Sequence, residues 1–207
     1  MADDASMMDM ARAERSDLAT FLATLTDEEW QTPSLCEHWT VKDVVAHVIS
    51  YEELGTWRLV KRFARGFFVR SNQLGVDEFS SLSPQQLLDF LNDHLRPRGL
   101  TAAFGGMIGL VDATVHHQDI RRPLGKPRMI PPDRLLKVLR SVPGNPRLGA
   151  GRRIRGLRLR ATDLDWMQGD GPEVVGTGEA LLMSMTGRRS VVDELTGPGQ
   201  PALAARL

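Results

Sequence analysis

The chain is poor in several things at once. Its 207 residues include one cysteine, Cys36, so no intramolecular disulfide can form and a reducing compartment is expected. Net charge is absent too: 26 basic residues balance 26 acidic ones, which removes the global field that drives non-specific attachment to nucleic acid or anionic membrane. No apolar run approaches the roughly 18 residues that a membrane helix needs. The start, Met1-Ala2-Asp3-Asp4, carries acid where a secretory signal needs positive charge. Repeats and low-complexity tracts are also missing. These absences lead to the expectation of a cytoplasmic protein with no nucleic-acid or membrane partner, its oligomeric state open. With 42% hydrophobic residues the chain can bury one substantial core, or one core plus a small satellite domain.

What is present is mostly helical periodicity. Met7, Met10, Ala11, Leu18, Phe21, Leu22 and Leu25 recur at helical spacing and predict a first amphipathic helix over 5–24. Thr26 to Glu29 spells a capping box, and Thr40 with Asp43 caps a second helix expected from Val41 to about Phe63. That helix should bury Val41, Val44, Val45, Val48 and Leu54, expose Arg58, Lys61, Arg62 and Arg65, and carry His47 beside its apolar face. Ser83-Pro84 opens a third helix that ends before Pro97, and a fourth spans roughly 101–122. Gly105, Gly106 and Gly109 inside it each cost about 1 kcal/mol relative to alanine, which close packing or a ligand would explain. A short fifth helix covers 133–142.

Beyond Pro146 the period changes. Leu157, Leu159 and Ala161 alternate with Arg158, Arg160 and Thr162, the pattern of a half-buried strand. Gly169-Asp170-Gly171-Pro172 reads as a turn, Val174 and Val175 as a second strand, and 179–186 as a helix. The expected organisation is therefore a mainly α protein: a helical bundle over 1–145 and a small α/β domain over 146–207.

Asp112 and His116 stand four apart on the fourth helix, so their side chains share a face one turn apart. Imidazole nitrogen and carboxylate oxygen suit Zn²⁺ or a similar divalent ion. Facing helices of a bundle can place inward-pointing ligands on one ion, and His47 with Asp112 and His116 would make a three-ligand set that leaves a coordination position open, as catalytic zinc sites do. His117 lies about 100° round the helix from His116, so a packing or supporting role is expected. Asp119, three residues on, can orient an imidazole. Arg121 and Arg122 complement the helix C-terminus, and Arg122 is also a candidate for binding a substrate carboxylate. Cys36 reads as a small packing residue.

The run Pro33-Ser34-Leu35-Cys36-Glu37-His38-Trp39-Thr40-Val41-Lys42-Asp43-Val44-Val45-Ala46-His47, followed by Val115-His116-His117-Gln118-Asp119-Ile120-Arg121-Arg122-Pro123-Leu124-Gly125, resembles the mycothiol-dependent maleylpyruvate isomerase family of DinB-like metalloenzymes. The segments Gly156–Asp163, Gly171–Val174 and Thr186–Arg189 extend the resemblance over nearly the whole chain. It implies a DinB-like four-helix bundle followed by a small α/β C-terminal domain, with a divalent metal, usually zinc, on the bundle. It also implies mycothiol as cosubstrate and a thiol S-transferase or thiol-assisted isomerase acting on a small electrophile. The implied ligands are His47, His116 and the position four before it, where the family commonly has glutamate and this chain has Asp112. His38 stands where the family commonly has glycine. A non-catalytic, metal-stabilised binding or stress-response module is the other reading open to such a bundle.

Overall fold

In the computed structural model, which describes residues 6–66 and 70–207, the chain forms two compact units, Met1–Arg128 and Met129–Leu207. The acidic start over 1–5 lies outside the described residues.

The first unit is built on α1 (Met7–Leu22), α2 (Asp27–Trp30), α3 (Val41–Ile49), α4 (Thr56–Gly66), α5 (Ser71–Phe79), α6 (Pro84–Asp93) and α7 (Met107–Arg121). Of these, α1, α3, α6 and α7 pack against one another as a four-helix arrangement. The expected caps form. Thr26 and Glu29, Thr40 and Asp43, and Ser83 and Gln86 each make a reciprocal capping box, satisfying first-turn N–H groups that the helix cannot. Leu18, Leu22, Val44, Val45, Val48, Leu87, Leu91 and Ile120 make the core.

Three expectations need correction. The helix predicted over 41–63 is two helices, because α3 ends at Ile49 and α4 begins at Thr56. Between them Glu52 turns into the interior, where its carboxylate accepts from Arg15 at 2.6 Å, from the Thr101 hydroxyl at 2.6 Å and from the Arg98 N–H at 2.8 Å. Arg62, expected on a solvated stripe, is buried and donates to the Ser50 carbonyl at 2.9 Å and to Glu78 at 2.5 Å. The fourth helix starts later than predicted: 3₁₀ turns occupy Gly99–Gly106, and Phe104, Gly105 and Gly106 all take positive φ before α7 begins. Gly109 does have a packing reason, since a Cβ there would stand 2.9 Å from Pro97 Cγ and 3.0 Å from the Thr101 carbonyl. Helix α5 was not anticipated at all.

The second unit holds α8 (Pro132–Ser141), α9 (Ala150–Arg153), β1 (Arg158–Ala161), β2 (Met167–Gln168), β3 (Glu173–Gly176), α10 (Gly178–Met185) and α11 (Gln200–Ala204). The sheet order is β2-β1-β3, with β1 antiparallel to β2 and parallel to β3, Leu159 standing opposite Val174. The period-two pattern is visible in β1, where Leu159 and Ala161 are buried and Arg160 exposed. The division at 128/129 puts α8 with the C-terminal unit, where the sequence reading drew the line at 145/146; α8 packs on α10, with Leu135 and Leu139 reaching Gly178.

Within the first unit, α1 is tied to α7 by charge as well as by apolar contact. Glu14, fully buried, faces His117 Nδ1 at 3.0 Å and is paired with Arg128, while Arg121 Nε donates to His117 Nε2 at 2.8 Å. Since Arg121 donates to Nε2, the proton of a neutral His117 sits on Nδ1 and points at Glu14. Burial pushes the Glu14 pKa up, but the hydrogen bond from His117 and the Arg128 charge outweigh it and hold the group down at about 2. For His117 burial prevails over the pull of Glu14, and its pKa falls from 6.5 to about 4. Both folded-state values lie below the ordinary ones, so the unfolded chain binds more protons across each gap and stability must fall on acidification. The His117 contribution is lost as pH drops from 6.5 towards 4, and the Glu14 contribution as it drops from 4.5 towards 2. His117→Gln, which keeps a hydrogen-bonding side chain without the titration, should remove about 3 kcal/mol of the pH-dependent loss in the upper window. Urea unfolding midpoints of metal-free wild type and variant at neutral pH and near pH 4 check this, and parallel pH profiles would contradict it.

Candidate metal centre

The three residues singled out on helix faces come together. His47 lies on the buried side of α3, with Trp39 at 5.1 Å between ring centroids and the edge of Tyr51 at 6.1 Å. Asp112 and His116 lie one turn apart on α7, which packs against α3. Asp112 Oδ1 is 3.4 Å from His47 Nε2 and 3.5 Å from His116 Nε2, and the two imidazoles meet edge to face with centroids 4.8 Å apart. Three donors each about 2.1 Å from an ion at tetrahedral angles stand about 3.4 Å apart, so this spacing fits a shared divalent ion. The shorter carboxylate of Asp112, compared with glutamate, still reaches both imidazoles.

Support for this set comes from Asp119. Its Oδ2 lies 2.9 Å from His116 Nδ1, which fixes the neutral tautomer with the proton on Nδ1 and leaves Nε2 as the electron-pair donor facing Asp112. The loop before α3 is pinned to the same place, because the Leu35 N–H donates to the Asp119 carbonyl at 3.0 Å. His117 is directed elsewhere, to Glu14 and Arg121. Arg122 closes α7, half-buried, its N–H on the Gln118 carbonyl.

Cys36 is the residue that sequence reasoning undervalued. Its thiol donates to Asp119 Oδ2 at 3.1 Å and stands 3.6 Å from His116 Nδ1, so Cys36, His116 and Asp119 form a second grouping of metal-binding atoms beside the first. The separation of 80 positions between Cys36 and His116 hides this in the sequence; the Leu35 N–H on the Asp119 carbonyl and the Cys36 thiol on Asp119 Oδ2 hold the loop against α7. His38 in the same loop takes φ 67°, the left-handed region that favours glycine.

Opposite charges set the protonation of the set. Burial pushes His116 down, yet the neighbouring Cys36 sulfur, the Asp112 carboxylate and the hydrogen bond to Asp119 raise its pKa well above 6.5. Burial likewise pushes Asp112 up, and the His116 and His47 charges bring it below the usual carboxylate range.

The comparisons with known proteins agree with the resemblance read from the motifs. Residues 11–98 match the family described as the mycothiol maleylpyruvate isomerase N-terminal domain, a segment that contains His47 and ends before Asp112 and His116. The whole fold is similar to the crystal structure of the mycothiol-dependent maleylpyruvate isomerase, with a TM-score of 0.61 and 16% identity over 94% of this chain and 92% of that one. A histidine-to-alanine mutant of the same enzyme matches with the same figures. At that identity the likeness shows the fold. No curated protein matches by sequence.

A proton on His116 must leave before Nε2 can bind an ion, so divalent-metal affinity should rise with pH, about tenfold per unit while His116 is protonated in the free protein. Calorimetric titration of Cys36→Ser with Zn²⁺ in buffers of different ionisation heat should report one proton released per ion. Asp119→Asn should lower the affinity by about 10- to 100-fold, since the anion that orients and charges the imidazole is lost.

Proposed function

We propose that the chain is a divalent-metal-dependent, mycothiol-dependent enzyme, a thiol S-transferase or thiol-assisted isomerase acting on a small electrophile. The observation that carries this reading is the pair of imidazole Nε2 atoms at 3.4 and 3.5 Å from one Asp112 oxygen, in a bundle whose N-terminal segment matches a mycothiol maleylpyruvate isomerase domain. His47, Asp112 and His116 would hold the ion, zinc being the natural occupant of a two-imidazole, one-carboxylate set. Three protein ligands leave a place for a thiol, and a bound divalent ion supplies the chemistry of lowering that thiol's pKa so that it attacks as thiolate at neutral pH.

The chain's own residues do the positioning. Asp119 accepts from His116 Nδ1 and keeps Nε2 turned towards Asp112, where it would be available to an ion. Trp39 and Tyr51 flank His47 and limit its rotamers. The Asp112 side chain keeps 24% exposure, against 6% for His47 and 12% for His116, so the set is open to a ligand on the carboxylate's side. Arg122, the residue that caps α7, is the cation we assign to a substrate carboxylate. None of this requires a protein cysteine as nucleophile. The rival reading, an ion that only stabilises the bundle, makes no demand for an open coordination position.

His116→Ala distinguishes the two. Under the catalytic reading it should reduce mycothiol conjugation of a model electrophile to the uncatalysed rate while circular dichroism still shows a folded bundle, because the cores of the packed helices do not need the ion. Under the structural reading the same change should unfold the protein. Undiminished activity in a folded, metal-free variant would end the metal-thiolate mechanism. Asp112→Glu should weaken metal binding by about tenfold, or about 1.4 kcal/mol, since the aspartate oxygen already stands at ligand spacing and an added methylene crowds the ion.

A further inference from the structure

The two ring nitrogens of His116 face two different sets of donors. Nε2 faces Asp112 and, beyond it, His47; Nδ1 faces Asp119 Oδ2 at 2.9 Å and Cys36 Sγ at 3.6 Å, with Sγ and Oδ2 3.1 Å apart. Around one ion with a metal–sulfur bond of about 2.3 Å and a metal–nitrogen bond of about 2.1 Å, tetrahedral sulfur and nitrogen donors stand about 3.6 Å apart, which is the separation found between Sγ and Nδ1. The Asp119 oxygen would have to draw back by about half an ångström from each of the others, from ideal separations of about 3.4 and 3.6 Å. The framework that holds these atoms is well tied: the Leu35 N–H is on the Asp119 carbonyl, the Cys36 N–H on Ser34 Oγ, and Ser34 Oγ donates to the Trp39 carbonyl. An ion has a way in, because Cys36 is half-buried and lines a cavity of about 350 Å³ formed by residues 33–40.

We propose that Cys36 Sγ, His116 Nδ1 and Asp119 Oδ2 form a second metal site, selective for thiophilic divalent ions, and that the His116 ring bridges it to the ion held by His47 and Asp112. The thiolate gives the second site its selectivity, since soft ions prefer sulfur to the nitrogen and oxygen donors of the first. With both sites filled, the thiol proton of Cys36 and the Nδ1 proton of His116 pass to solvent, so the second ion releases two protons. The ions would lie roughly 6 Å apart, a metal–nitrogen bond of about 2.1 Å on either side of one ring. Asp119 then exchanges its hydrogen bonds from imidazole and thiol for a direct bond to the second ion. The two sites share His116 but rest on different partners, so each can fail without the other.

Cadmium is the probe, because a cadmium–thiolate bond has an ultraviolet charge-transfer band that imidazole and carboxylate lack. The full chain, kept reduced with a phosphine, is titrated with Cd²⁺ while the band and the bound metal are followed. Wild type should bind two ions per chain and develop the band. Cys36→Ser should bind one ion and show no band, with unchanged circular dichroism. His47→Ala should keep the band at full intensity while binding at the other site weakens at least tenfold, and Asp119→Asn should shift the band's midpoint to at least tenfold higher Cd²⁺. A wild-type chain that never develops the band, or a band whose midpoint ignores Asp119→Asn, overturns the second site. A single ion per chain that carries the band would count against the His47 set and the function proposed for it, leaving the Cys36 set standing.

Discussion

Glu14, Glu52 and Asp119 lie inside the first unit with their carboxylates out of water, and a buried carboxylate is tolerable only where donors or cations surround it. Each finds at least one partner on another element. Glu14 on α1 is held by His117 of α7 and by Arg128; Glu52, after α3, by Arg15 of α1, Thr101 and the Arg98 N–H; Asp119 on α7 by its helix neighbour His116 and by Cys36 of the loop before α3. Apolar contact between helices tolerates a sliding register. These bonds do not, because moving α1 or α7 by one residue would strand a charge. The donor set of His47, Asp112 and His116 inherits its spacing from that register.

The same logic explains why the chain interrupts a helix that its local pattern would continue. Breaking α3 after Ile49 forfeits a stretch of backbone hydrogen bonding, yet it lets Glu52 meet the guanidinium of Arg15, whose NH1 also donates to the His94 carbonyl. Removing one partner of such a pair leaves an uncompensated buried charge and is strongly destabilising, so the break is enforced by the whole network rather than by any residue within it. His116 sits where two of these constraints meet. It bears on Asp112 through one nitrogen and on Asp119 through the other, so its ring cannot turn to suit an ion without disturbing the anchor of the loop before α3.

Much of this was legible before any coordinates. The capping boxes at Thr26, Thr40 and Ser83, the apolar stripe of α1, the alternation at Leu157–Ala161 and the i, i+4 pairing of Asp112 with His116 are local patterns, decided by backbone geometry within a few residues. The pairing of His47 with them followed from helix faces and from a resemblance to known bundles. Local patterns failed at Glu52 and Arg62, where polar residues that look solvated are drawn inside by partners far along the chain, and at Gly99–Gly106, where left-handed residues delay α7.

What the sequence by itself determined is part of the inventory: most of the amphipathic helices, the starts capped by Thr26, Thr40 and Ser83, a short sheet, and two residues bound by one helical turn to the same face. The tertiary structure alone decided that Cys36 belongs beside His116 and Asp119, that His117 turns to Glu14 while its neighbour turns to Asp112, and that the Asp112 carboxylate stands within 3.5 Å of both His47 and His116. The reason is physical. Helical periodicity operates over four residues, whereas the pairing of a thiol with an imidazole 80 residues away depends on where buried charges allow two helices and a loop to come to rest.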